Sequence, residues 1–152
     1  MTYRITGLDP EPFRPLFALS DEELETRGMR RMTVTDSGFP CRVSLVDRPL
    51  GDEVILLNHV SHDVANPYRS SHAIFVADAE QAEFVGSVPP VFEPRVLSLR
   101  GFDEDGMMAD ALVTQPGEAD AGIRKLFDNP KIATIHAHNA ARGCFSAKIE
   151  RA

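Results

Sequence analysis

Punctuation constrains this chain most: its apolar stretches are short and are cut off by turn formers before a long helix could wind. "MRRMTVT", "CRVSLVD", "DEVILLNHV" and "SHAIFVAD" follow one another, separated by "DSGFP", "RPLG" and "ANPYRSS", and each reads as a strand ended by a turn. "YRIT" is a short opening strand. "RVLSLRGF" and "MMADALVTQ", joined by "DEDG", read as an antiparallel hairpin, and "KIATIHAH" and "CFSAKIE", joined by "NAARG", read as another. Between these groups the prolines of "SVPPVFEP" predict an extended path. Helical patterns are few. "SDEELETRG" has Ser20 and Glu23 at capping-box spacing and Gly28 at its end. "GEADAGIRKLFDNP" puts Ile123, Leu126 and Phe127 on one face and stops at Pro130. "DPEPFRPLF" has three prolines, which limit it to a turn or two. Strands thus dominate, and the expected fold is α+β: one domain over residues 1–152, a largely antiparallel sheet with two or three short helices packed on it.

Length and charge narrow the function. A chain of 152 residues buries a core without disulfide or metal staples. A net charge of −7 argues against nucleic acid and anionic membranes as partners, since both call for a basic surface. The opening "MTYRITGLDPEP" lacks a signal peptide's apolar core, and no apolar run reaches a membrane span, so a cytoplasmic location is expected. In that compartment Cys41 and Cys144 are expected to be free thiols.

Two segments concentrate the reactive side chains. In the closing hairpin, strand alternation puts Thr134, His136 and His138 on one face and Ile135 and Ala137 on the other. A five-residue loop predicts His138 opposite Cys144 and His136 opposite Ser146, with Phe145, Ala147 and Ile149 on the apolar face. His136, His138 and Cys144, with His62 as a fourth ligand, would suit zinc or another transition metal. Alternatively, His138 would activate Cys144 as a nucleophile. The third reading is a metal-free pocket wall or a solvated face.

The second segment is "FPCRVSL" with "NHVSHDVANPYRSSHAIFV". Its long strand is apolar on both faces at first and turns polar as it emerges, which suits the mouth of a pocket. Arg42, Tyr68, Arg69 and Arg142 are the donors expected to hold a carboxylate or phosphate there. No phosphate-binding glycine loop, His-Glu-x-x-His motif or Gly-x-Ser-x-Gly elbow occurs.

The run "FPCRVSLVD…GDEVILLNHVSH…NPYRSSHAIFV", with the closing "HAHNAARGC", resembles the bacterial family called domain of unknown function 1203 over nearly the whole chain. The resemblance implies a single-domain, soluble bacterial protein and assigns no catalytic role. It directs attention to Cys41, Arg42, His62, Pro67, Tyr68, Arg69, His138, Asn139 and Cys144, and away from His72, which departs from the family's pattern.

The expected function is binding of a small anionic molecule in a His/Arg/Tyr-lined pocket formed where the two segments meet. Whether the protein is an enzyme stays open, with His62, His138 and Cys144 as the catalytic candidates. The alternatives are a metal-dependent enzyme using His136, His138, Cys144 and His62, and a non-catalytic interaction module that forms a homodimer.

Overall fold

The computed structural model describes all 152 residues and arranges nine strands in two antiparallel sheets. The strands are β1 (Tyr3–Thr6), β2 (Arg30–Thr33), β3 (Glu53–His62), β4 (Ser70–Val76), β5 (Glu83–Val85), β6 (Leu97–Phe102), β7 (Met108–Thr114), β8 (Thr134–Asn139) and β9 (Phe145–Arg151). The larger sheet runs β5-β1-β9-β8-β6-β7 and the smaller β2-β3-β4. The helices are α1 (Asp21–Thr26) and α2 (Ala119–Phe127), and a 3-10 turn covers Arg14–Ala18. This is the α+β architecture expected from the sequence. No helix is long and apolar enough to cross a membrane.

Each helix forms where its local chemistry permits. Ser20 Oγ accepts the Glu23 N–H at 3.1 Å while the Ser20 N–H donates to the Glu23 carboxylate at 2.7 Å, so the expected capping box starts α1. Amphipathic spacing buries Ile123, Leu126 and Phe127 of α2 against the larger sheet. Gly122 brings that helix close: a Cβ there would meet Thr114 Cγ2 at 2.4 Å.

Two apolar clusters result. One lies between the larger sheet and α2 and includes Ile5, Leu97, Leu99, Ile123, Ile135, Ala137 and Ile149. The other gathers Phe13, Leu16 and Leu24 against Ile55, Leu57, Ile74 and Val76 of the smaller sheet. The β3–β4 hairpin changes character along its inner face. Its opposed pairs run Ile55–Val76, Leu57–Ile74 and then His59–His72, so an apolar face becomes an imidazole face as it nears β8 and β9.

Three segments depart from the sequence reading, and the first is β5, a short strand that no alternating pattern announces. "CRVSLVD" is not a strand. Its backbone divides among several partners: Arg42 N–H donates to the Phe75 carbonyl, and the Arg42 and Val43 carbonyls accept from Leu8 and Ala82. The chain then turns back, with Leu45 N–H donating to Cys41 O at 2.9 Å and Leu45 at φ 54°, the one non-glycine residue with a positive φ. Cys41, Val43 and Leu45 are all fully buried, so the alternation reported burial and not pairing. "SVPPVFEP" is not extended either. Phe92 N–H donates to Pro89 O and Arg95 N–H to Phe92 O, which winds the segment into turns that bury Val91 and Phe92. Proline's fixed φ serves a turn as well as an extended path.

The loop carrying Arg42 is seated against Gly7. A Cβ at Gly7 would lie 1.9 Å from the Val43 carbonyl oxygen, a backbone atom with three neighbouring hydrogen bonds to keep. Gly7→Ala is therefore expected to destabilise the protein by roughly 1–3 kcal/mol, read as a lower midpoint in urea unfolding. An unchanged midpoint would mean that the loop is not seated there.

Candidate functional site

Strand alternation delivers the histidines to one place. On β8, His136 and His138 face away from the apolar cluster that holds Ile135 and Ala137. The β3–β4 hairpin covers them. The His62 and His136 rings stand 5.0 Å apart, centre to centre, and the His72 and His138 rings 4.9 Å. Phe145 and Phe102 fill the row, with Phe145 5.4 Å from His136 and Phe102 4.1 Å from His62. His59 joins through Phe145 at 6.2 Å. All five histidines of the chain thus lie in the seam between the sheets.

The seam corrects the expected hairpin register. His138 lies opposite Phe145 and His136 opposite Lys148, because a bulge falls between Ala137 and His138. The irregularity turns Phe145 out of the apolar face and onto the histidine face. That face is not a solvated surface, since His136 and His138 are only 3% and 1% exposed.

Burial also sets the protonation. It lowers His136 to about 3, with the neighbouring His62 and His138 adding to the effect. It lowers His138 to about 4, although the bond to the Gly143 carbonyl works the other way. Burial lowers His59 and His72 as well. A carbonyl only accepts, so His138 donates from Nδ1 to Gly143 O at 2.9 Å, and His62 donates from Nε2 to Gly106 O at 2.8 Å. His136 Nδ1 is buried without a partner.

At the His72–His138 end the seam opens into a cavity of about 620 Å3. Arg42, Arg95 and Arg142 line it with His72, Asn139 and Cys144, and no aspartate or glutamate does. Arg42 is 2% exposed. Its guanidinium donates from Nε to the Phe145 carbonyl at 2.8 Å, from Nη1 to the Pro40 carbonyl at 2.6 Å and from Nη2 to Cys144 Sγ at 3.2 Å. Burial pulls this guanidinium below its ordinary value, and Cys144 beside it works against that shift. Asn139 Nδ2 also donates to Cys144 Sγ, at 3.4 Å, while Asn139 Oδ1 is buried and unpartnered. Arg95 is already held at both nitrogens by Asp47, at 2.9 and 2.7 Å.

The two polar segments therefore do meet, but not every expected residue arrives. Arg42, Asn139, Arg142 and Cys144 share the cavity, and His62, His136 and His138 share the seam. Tyr68 and Arg69 do not line the cavity. Their loop is tied elsewhere: Asn66 Nδ2 donates to the Asp105 carbonyl and Asn66 Oδ1 accepts the Tyr68 N–H. Tyr68 lies edge-on to Phe102 at 6.2 Å, and Arg69 pairs with Asp63 on the surface. The proposed metal set does not converge. His136 faces His62, His138 faces His72 with its Nδ1 committed to Gly143, and the Cys144 sulfur takes donors from Arg42 and Asn139. No three histidine, cysteine, aspartate or glutamate side chains come together as a metal would need.

Sequence reasoning missed His72, Arg95 and Arg100. Arg100 shares the seam face of β6 with Ser98 and Phe102 and lies opposite His136, a placement legible only once β6 is known to pair with β8. Cys41 does not line the cavity and belongs to the apolar cluster of the smaller sheet. It is fully buried, and its sulfur accepts the Ser44 and Ala77 N–H groups.

The buried neutral rings make stability depend on pH. Their folded values lie below the unfolded value, so their contribution is complete above pH 6.5 and is lost as pH falls toward about 4 and about 3. Between pH 7 and 5 each ring is expected to cost about 2 kcal/mol, in a window mostly above the carboxylates' own titration. Urea unfolding at pH 7, 6 and 5 measures this. His136→Phe, which forfeits no hydrogen bond, is expected to remove about 2 kcal/mol of the loss. A stability flat from pH 7 to 5 in the unaltered protein would contradict the buried-neutral assignment.

Comparison with known proteins adds one finding. A family profile described as "Protein of unknown function (DUF1203)" matches residues 38–151, three quarters of the chain, and that span holds every cavity and seam residue named above. No curated protein matches, and no solved structure does. On the strength of that match, the chain belongs to the DUF1203 family.

Proposed function

We propose that the protein binds a small anionic molecule in the cavity between the sheets, with Arg42 and Arg142 supplying the charge and His72 and Asn139 the directional hydrogen bonds. One observation carries this reading: Arg42 is buried, has no carboxylate within ion-pair distance, and lines a cavity whose wall contains no acid. The chain has 23 acidic residues and a net charge of −7, so an acid-free wall around arginines runs against its composition. Taking a guanidinium out of water without a counter-charge costs several kcal/mol. Two carbonyls and a sulfur offset part of that cost, and an anionic ligand would supply the missing charge. The volume falls within the range of small-molecule sites.

Phosphate, sulfate and short mono- and dicarboxylates, titrated with thermal melting and calorimetry as readouts, test the reading. At least one is expected to raise the melting point, with a stability gain that grows with the logarithm of concentration above its Kd and reaches about 2.7 kcal/mol at a hundred times Kd. Arg142 is exposed and makes no ion pair, so Arg142→Glu is expected to fold and to weaken that ligand about 10-fold or more. Stabilisation that is equal for every salt, chloride included, or that survives Arg142→Glu would overturn the proposal.

A further inference from the structure

Building on the anion-binding reading, we propose that Cys144 is the nucleophile of this cavity and exchanges with small anionic disulfides, so that the protein is reversibly thiolated there. Cys144 is partly exposed and lines the cavity, whereas Cys41 is buried. Two N–H donors, from Arg42 and Asn139, converge on the Cys144 sulfur and hold it at the cavity wall. A second observation points to an anionic ligand without using the bond to the sulfur: Arg42 is a buried charge with no carboxylate partner, its other two bonds go to backbone carbonyls, and two of its five N–H groups carry no bond inside the protein.

The same geometry selects the reaction class. No histidine is hydrogen-bonded to the sulfur: His138 Nδ1 is engaged with Gly143 and His72 Nδ1 lies against Ser61. Acyl or phosphoryl transfer would want a base and an acid at the nucleophile. Thiol–disulfide exchange wants neither. The Cys144 sulfur, its proton given to solvent, attacks one sulfur of the disulfide. A bond forms between Cys144 and that sulfur, the original S–S bond breaks, and the other half leaves as a thiolate that takes a proton from solvent. No external oxidant is required. Cys41 is fully buried with its sulfur committed to two backbone N–H groups, so it does not resolve the product. The mixed disulfide persists until an outside thiol removes it, and while it lasts the cavity is filled.

The test compares oxidised glutathione, an anionic disulfide, with cystamine, a cationic one, on the full chain at low salt. Intact mass follows the rate and peptide mapping the position. One adduct at Cys144 is expected, forming about 10-fold faster or more with the anionic disulfide, and Arg142→Glu is expected to erase or reverse that preference. Cystamine reacting as fast or faster at Cys144 would overturn the proposal, because the sulfur would be open but the cavity not anion-selective. No reaction with either disulfide, where urea-unfolded protein reacts with both, would also overturn it. In that case phosphate or carboxylate binding by Cys144→Ser shows whether the anion-binding reading survives on its own.

Discussion

The Arg42 guanidinium holds the two halves of this molecule in register. It sits on a loop anchored by Phe75 of the smaller sheet and by Leu8 just after β1, and it reaches across to the carbonyl of Phe145 on the larger sheet. A buried cation is tolerated only where acceptors surround it. Here they come from Pro40 on its own loop, from Phe145 at the bulged start of β9 and from the Cys144 sulfur just before it. The loop bends tightly enough to do this because Leu45 takes a left-handed conformation, a strain of about 1–2 kcal/mol. Strain of that kind persists where neighbouring contacts over-determine the backbone.

The seam between the sheets is built from imidazoles and phenylalanines. Neutral imidazole packs edge-on against its neighbours and still offers one donor and one acceptor. His62 and His138 each spend a donor on a backbone carbonyl, Gly106 and Gly143, so the row is pinned at both ends. Its middle member, His136, has a buried nitrogen with no partner, which makes the seam less stable than an aliphatic one would be. The seam therefore joins the sheets, and at one end, beside Arg42, it opens into the cavity.

Much of the fold was legible in the sequence, and the failures have identifiable causes. The capping box of α1, the apolar face of α2, the β6–β7 hairpin and the two faces of β8 follow from local chemistry and period-two alternation. "CRVSLVD" misled because alternating burial also arises in a loop that buries every second side chain. Phe145 misled because a bulge moves a residue to the other face without any composition signal. At the site, Arg42, Arg142 and Cys144 were foreseen as polar residues at strand ends and Asn139 through the family resemblance, and all four share the cavity. Tyr68 and Arg69 were foreseen on the same grounds but belong to a loop that Asn66 ties to the β6–β7 turn. Which strand ends meet depends on sheet order, and neither sheet follows sequence order at the site: β8 lies between β9 and β6.

The central claim is that one buried and one exposed arginine of this acidic protein hold an anion between the sheets. The most direct measurement is a nitrogen-resolved magnetic resonance titration of the arginine side chains with a small dicarboxylate. The account predicts that the Arg42 and Arg142 guanidinium signals shift together and saturate with one Kd, while Arg14 and Arg124, already paired with carboxylates on the surface, stay put. Small, unsaturated shifts spread evenly over all the arginines, with Arg42 unmoved, would contradict it.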